Sequence, residues 1–149
     1  MILKEQVAIV SGGSQGIGRA ICLELARQGA HVIAAARNTD KIHSWVAESG
    51  ALASQFTPMA LDVTKTESIE KLVEDVTGKF KRIDILVNNA GITRDGLMMR
   101  MSDDDFDAVM ETNLRGAFRL TRAAVNHMIR ARKGRIINIS SVTGVMGNA

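Results

Sequence analysis

Short apolar runs alternate with amphipathic stretches along this chain, which predicts strands and helices in regular succession. Residues 7–10 (VAIV) are wholly apolar, as a strand covered on both faces requires. Residues 17–28 predict a helix with Ile17, Ile21 and Leu25 on one face and Gly29 as its stop. A second strand follows at 32–36, a helix at 39–48 closed by Gly50, and a third strand at 56–61. Residues 66–79 carry Ile69, Leu72, Val73 and Val76 on one helical face, and 83–87 predict a fourth strand. The longest predicted helix runs from Ser102 to Ala131. Ser102 caps it, and Asp103, Asp104 and Asp105 suit the positive end of its dipole. Its apolar face passes through Phe106, Val109, Met110, Leu114, Ala117, Thr121, Ala124 and Met128. Arg130, Arg132 and Lys133 suit its other end, with Gly134 as the stop. Residues 135–140 predict a fifth strand. The pattern predicts an α/β fold, a doubly wound parallel sheet of Rossmann-like type, with ligands at the carboxyl ends of the strands.

Composition narrows this picture. The 149 residues fit one domain, and 46% are apolar, enough for an ordinary core. No internal repeat or low-complexity linker interrupts the chain. No apolar run approaches the roughly 20 residues of a membrane span, and the first residues lack the pattern of a signal peptide. The expectation is a cytoplasmic chain without membrane contact. Cys22 is the single cysteine, so no internal disulfide forms. There is no Tyr.

The net charge of +3 is unevenly spread. Residues 112–149 contain Arg115, Arg119, Arg122, Arg130, Arg132, Lys133 and Arg135 and no acid. Such a surface either attracts an anionic partner or is a solvated helix face whose acids come from elsewhere. Nucleic acid is not the expected partner, because aromatic residues are not interleaved with the cations and no reader motif is present.

The first strand runs into SGGSQGIG at 11–18, which opens directly into a helix. Glycines permit a tight turn and close approach of backbone to an anion, and a helix amino terminus supplies N–H groups and a positive dipole end. The strand–glycine loop–helix order distinguishes this from a plain Gly-rich turn and predicts a dinucleotide site. An NAD-preferring site places an acid at the end of the second strand, whereas here Ala36 is followed by Arg37. Arg37 can pair with a 2′-phosphate, which predicts NADP as cofactor; otherwise it is a surface arginine. Asp62, after the third strand, either bonds adenine or caps the turn into the next helix. In Asn88-Asn89-Ala90-Gly91, small residues allow approach to the cofactor ribose, and an amide can tie strand ends together.

Asn113 is expected on the core-facing side of the long helix, between Met110 and Ala117. A buried amide needs partners. It is either a structural tie or the mark of a helix irregularity that exposes backbone to a water chain. Ser140 and Ser141 end the fifth strand and either orient a substrate carbonyl or begin the next turn. No G-x-S-x-G elbow surrounds Ser141, and nothing marks His31, His43 or His127 as its base, so a hydrolase is not expected.

Taken together, SGGSQGIG, LDV, NNAG, the ETN around Asn113, and Ser140-Ser141 resemble the short-chain dehydrogenase/reductase family. Within it, NNAGITRDGLMMRMSDDDF, ETNLRGAF and GRIINISSVTGVMGN are similar to 3-oxoacyl-[acyl-carrier-protein] reductases of fatty-acid synthesis. The resemblance implies that Gly12, Ser14, Gln15, Gly16, Ile17 and Gly18 hold pyrophosphate and adenosine ribose. It implies that Asp62 and Val63 contact adenine, and that Asn89, Ala90 and Gly91 line the ribose side. Asn113 would hold a relay water, and Ser141 would polarise the ketone of a 3-oxoacyl thioester reduced by NADPH. It also implies docking of acidic acyl carrier protein on arginines near the cleft, Arg132 among them, and a homo-oligomer paired through the long helix.

The chain departs from the family at three places. Ser11 stands for Thr and keeps the hydroxyl. Gln15 stands where many NADP-using members have Arg, which leaves Arg37 to carry that charge. The family's general acid is a Tyr of a Tyr-x-x-x-Lys motif beyond the serine, and these residues contain no Tyr. The expectation is one NAD(P)-binding domain over 1–149, incomplete after the fifth strand, that binds cofactor with little reductase activity of its own. The alternatives are a non-catalytic NADP-binding module and a short-chain reductase of another carbonyl substrate.

Overall fold

The computed structural model describes residues 1–147. Five parallel strands form one sheet in the order β3-β2-β1-β4-β5: β1 Val7–Ser11, β2 His31–Ala36, β3 Phe56–Ala60, β4 Ile85–Asn88 and β5 Arg135–Asn138. The helices are α1 Gly16–Arg27, α2 Asp40–Glu48, α3 Thr66–Phe80, α4 Asp103–Val109, α5 Ala117–Ala131 and a short α6 Thr143–Met146. The predicted doubly wound sheet is therefore present.

Period-2 geometry divides the core. Val7 and Ile9 of β1 face Ile69, Leu72 and Val76 of α3 and Leu120, Ala124 and Met128 of α5. Ala8 and Val10 face the opposite way, toward Cys22 and Ala26 of α1 and Ile42 and Trp45 of α2. This is why β1 is buried along its whole length. β3 lies at one edge of the sheet, where Pro58 costs no interior ladder bond. β5 lies at the other edge, with Ile136 and Ile137 partly exposed. Because β1 stands between β2 and β4, the chain leaves it on both sides and opens a crevice at the carboxyl ends.

Buried Asp84 anchors the entry to β4. Its carboxylate accepts Val7 N–H at 2.9 Å and both Arg82 donors, Nε and Nη2, at 2.7 Å. Burial alone would raise its pKa, but these bonds and the Arg82 charge hold it below the ordinary carboxylate range.

Several expectations need correction. Ile17 is 64% exposed, because α1 approaches the sheet through its small stripe of Gly18, Cys22 and Ala26. The single helix over 102–131 is α4 and α5 joined by a π-helical turn, Met110–Gly116. Ser102 does cap it, accepting Asp105 N–H at 3.1 Å. The expected core face is fully buried only at Ala124 and Met128, with Leu120 beside them; Val109, Ala117 and Thr121 are half-buried, while Phe106, Met110 and Leu114 are exposed together with Phe118. Gly134 does not stop α5. Arg132 does, in the left-handed region at φ 51°. Gly134 is needed for packing instead, since a Cβ there would lie 2.6 Å from Met128. Among the described residues, no helix is long and apolar enough to cross a membrane.

Candidate functional site

The site begins where β1 ends. Ser11 is buried; its Oγ donates to Val87 O at 3.3 Å and accepts the N–H groups of Asn89 and Ala90, each at 3.0 Å. Asn89 returns the tie: its Nδ2 donates to Ser11 O at 3.1 Å and Gly12 O at 3.2 Å. One hydroxyl and one amide thus fix the spacing of the two loops that flank the crevice, as the amide reading of the NNAG segment expected. The departure from Thr to Ser keeps these bonds.

The glycine loop folds closely on itself. Gly12 has φ +71°, and a Cβ there would lie 2.9 Å from Asn89 Nδ2. A Cβ on Gly18 would lie 2.1 Å from Gly12 O. The amino end of α1, which this loop delivers, has no side-chain cap and no acid in its first turn. By contrast, α4 begins with a serine cap and three aspartates. An uncapped, acid-free helix end behind a glycine loop is the donor set that a pyrophosphate needs.

A cleft of about 770 Å³ opens over this loop. Gly12, Ser14, Gln15, Gly16, Ile17 and Gly18 form its floor. Arg37 enters from the end of β2, Asp62 and Val63 from the end of β3, and Asn89, Ala90 and Gly91 from the end of β4. All twelve residues expected at a nucleotide site line this one cavity. Ile17, which the core does not take up, presents its exposed side chain to this cleft. Lys41 of α2 lines the cleft too, and its Nζ donates to Gln15 Oε1 at 2.9 Å.

Asp62 does cap its turn. Its Oδ1 accepts the Thr64 hydroxyl at 2.6 Å and the Thr64 N–H at 3.0 Å. The hydroxyl bond is the main reason its carboxyl is held below the usual range, with the charges of Lys65 and Arg37 adding to it.

A second cavity, of about 840 Å³, shares Asn89, Ala90, Gly91 and Ile92 with the first and brings Asn113 together with Ser140 and Ser141. Asn113 is exposed, which corrects the expectation of a core-facing amide. The π-helical turn lies beside the β4 loop, and the side chain clasps Ile92, its Oδ1 accepting the N–H at 2.8 Å and its Nδ2 donating to the carbonyl at 2.9 Å. It is thus a structural tie, one of the readings its sequence position left open, and it lies within a helix irregularity. Ser141 Oγ lies 2.7 Å from Thr143 Oγ1 and accepts the Thr143 N–H, so it also begins the turn into α6. Asn88 is buried beneath this cavity, and its Nδ2 donates to Thr121 Oγ1 at 2.9 Å and Asn138 Oδ1 at 2.8 Å. The bond to Asn138 ties the ends of β4 and β5, as the amide reading of this segment allowed; the bond to Thr121 of α5 has no local signal in the sequence.

Arg132 does not join the cleft. It ends α5, next to the start of β5, where Arg135 N–H bonds Asp84 O, so it lies at the amino-terminal edge of the sheet. The basic segment is partly answered by an acid from outside it, since Arg115 and Arg119 both pair with Glu111, while Arg122 lies over the Phe118 ring.

The family profile for short chain dehydrogenase matches residues 6–149. A 3-oxoacyl-[acyl-carrier-protein] reductase FabG of Thermotoga maritima is 45% identical over 148 residues, covering 99% of this chain and 60% of that protein. The enzyme of the same name from Vibrio cholerae is 48% identical, with 100% and 60% covered. The chain thus spans about 60% of the length of these curated relatives. Among solved structures, a metagenomic short-chain oxidoreductase in complex with NADP superposes with a TM-score of 0.90 at 36% identity, covering all of this chain and 67% of that one.

Proposed function

Because the chain belongs to the short-chain dehydrogenase family, we propose that its cleft holds NADP and serves NADPH-dependent reduction of a 3-oxoacyl thioester to the 3-hydroxyacyl form. The observation that carries the cofactor assignment is the convergence of the glycine loop, Arg37, Asp62 and Asn89–Gly91 on one cavity above an uncapped helix end. The solved relative bound to NADP supports it. The substrate class rests on the names of the curated relatives.

The residues divide the work by position. N–H groups of the loop and of the first turn of α1 take the pyrophosphate. Arg37 takes the 2′-phosphate through a charge-assisted pair, a group an acid at that place would repel. Asp62 and Val63 border the adenine, while Asn89, Ala90 and Gly91 border the ribose nearer Ser141. The bound nicotinamide would supply the hydride, and the proton that completes the hydroxyl would come from a general acid, a role no Tyr among these residues can fill. Ser141 donates a hydrogen bond to the substrate ketone, and Asn113 with its π-helical turn holds a relay water. Fixing Ile92 by both its N–H and its carbonyl, Asn113 also keeps the cofactor loop in register with that turn.

Acyl carrier protein is the proposed donor of the thioester, and Arg132 its proposed docking residue. From the far edge of the sheet, Arg132 serves a cleft only across an assembly. The exposed Phe106, Met110, Leu114 and Phe118, spaced four apart, are the proposed seam of that homo-oligomer.

Titration of the chain with NADPH and NADH, followed by nicotinamide fluorescence, tests the cofactor assignment. Tighter binding of NADPH is expected; equal or tighter binding of NADH overturns it.

A further inference from the structure

We infer that Lys41 is a second cation for the 2′-phosphate, acting with Arg37 and held in position by Gln15. The inference rests on the reading that the cleft takes NADP, and it replaces the expectation that Arg37 carries this charge alone.

Lys41 lies in the first turn of α2, four residues beyond Arg37, and both side chains line the cleft that contains the glycine loop. An exposed lysine ordinarily samples many rotamers, and ordering it costs entropy. Here the ammonium is tethered across 26 residues of sequence to Gln15 Oε1 at 2.9 Å. Gln15 immediately precedes α1, so the tether sets the positive charge beside the helix end already assigned to the pyrophosphate. The amide uses one of three ammonium donors and leaves two for a ligand.

The surrounding charges favour an anion. Among the described residues, neither Arg37 nor Lys41 lies within ion-pair distance of a carboxylate, although other cations, such as Arg19 and Arg94, are paired. Asp62, the acid lining the same cleft, turns Oδ1 to Thr64. A phosphate monoester carries nearly two charges at neutral pH and is matched better by two cations than by one. Gln15 is neutral, so it contributes by positioning a cation.

The test compares dissociation constants of NADPH and NADH for the wild-type chain, Lys41→Ala, Lys41→Arg, Gln15→Ala and Arg37→Ala. Adenosine 2′,5′-bisphosphate and 5′-AMP serve as probes that lack the nicotinamide. Lys41 is exposed, and a circular dichroism spectrum verifies that each variant is folded. Lys41→Ala is expected to weaken NADPH and the bisphosphate roughly tenfold, the scale of one charge-assisted contact, and to leave NADH and 5′-AMP unchanged. Lys41→Arg should retain most of the preference, and Gln15→Ala should lose part of it. If Arg37→Ala abolishes the preference while Lys41→Ala leaves it intact, Lys41 has no such role and the NADP reading stands. If the wild-type chain itself does not prefer the 2′-phosphorylated ligands, the underlying reading fails and the inference fails with it.

Discussion

Gly18→Ala probes the architecture of the cleft. The added methyl would lie 2.1 Å from Gly12 O and 2.6 Å from Asn89 Nδ2, inside any tolerable contact. Gly18 is not in the left-handed region, so the cost is steric. The nearest atom is backbone and cannot swing aside. Relief requires moving the glycine loop away from α1, and Gly12 O is one of the acceptors of the Asn89 amide. Overpacking costs about 1–3 kcal/mol, and a weakened hydrogen bond adds about 1 kcal/mol. At about 2–4 °C per kcal/mol for a chain of this size, Tm should fall by roughly 5–15 °C. NADPH affinity should fall more than tenfold, because the displaced loop no longer directs its N–H groups at one point. Gly16→Ala meets nothing within 4 Å but forces alanine to φ +54°, so a smaller loss of about 1 kcal/mol is expected. Gly78→Ala, in α3 with no neighbour within 4 Å, should stabilise by about 0.5–1 kcal/mol. Thermal unfolding of the three variants and NADPH titration of the first two check this ordering. Gly18→Ala with unchanged Tm and affinity would refute the account of the loop.

Asp84→Ala removes the partner of Val7 N–H and of Arg82, and should destabilise by about 3 kcal/mol at neutral pH. Because the folded carboxyl titrates below its unfolded value, its contribution is full above the ordinary carboxylate range. It is lost as pH falls through the folded pKa. Urea midpoints of wild type and variant should therefore converge with acidification, and a constant gap would contradict this. Burial pushes the Cys22 thiol up to about 12, so it should resist alkylation at mildly alkaline pH until the protein is unfolded. Prompt modification of the native chain would show that α1 does not pack as described. A polypeptide of these 149 residues, which contain no Tyr, should bind NADPH yet turn over acetoacetyl thioester at a rate lowered by the usual general-acid factor of about 10²–10⁴. Substantial turnover, read from nicotinamide absorbance, would place the proton donor elsewhere.

The sheet was legible because its strands are short apolar runs between clear helical periods, a signal that does not depend on distant residues. The cleft was legible because glycine at 12 and 18 and an arginine after Ala36 are local choices that a plain turn between strand and helix does not require. Faces were harder. Period alone marks Ile17 and the line through Phe106, Met110 and Leu114 as apolar, but it does not say what covers them. The π-helical turn is invisible in a pattern of period 3.6, and only the oddly placed Asn113 signalled it. Arg132 took the stop expected of Gly134, whose missing Cβ instead leaves room for Met128, a contact no end-of-helix rule contains. The NNAG amides were legible as strand-end ties, though not which partner each takes; Lys41 escaped notice because its partner, Gln15, is 26 residues away.

The most direct measurement is the change in backbone amide NMR shifts on adding NADP to the isotope-labelled chain. The account predicts the largest changes at residues 12–18, Arg37, Lys41, Asp62, Val63 and 89–91. Changes confined to the groove between α3 and α5, around Val73, Arg119 and His127, or no saturable change at all, would contradict it.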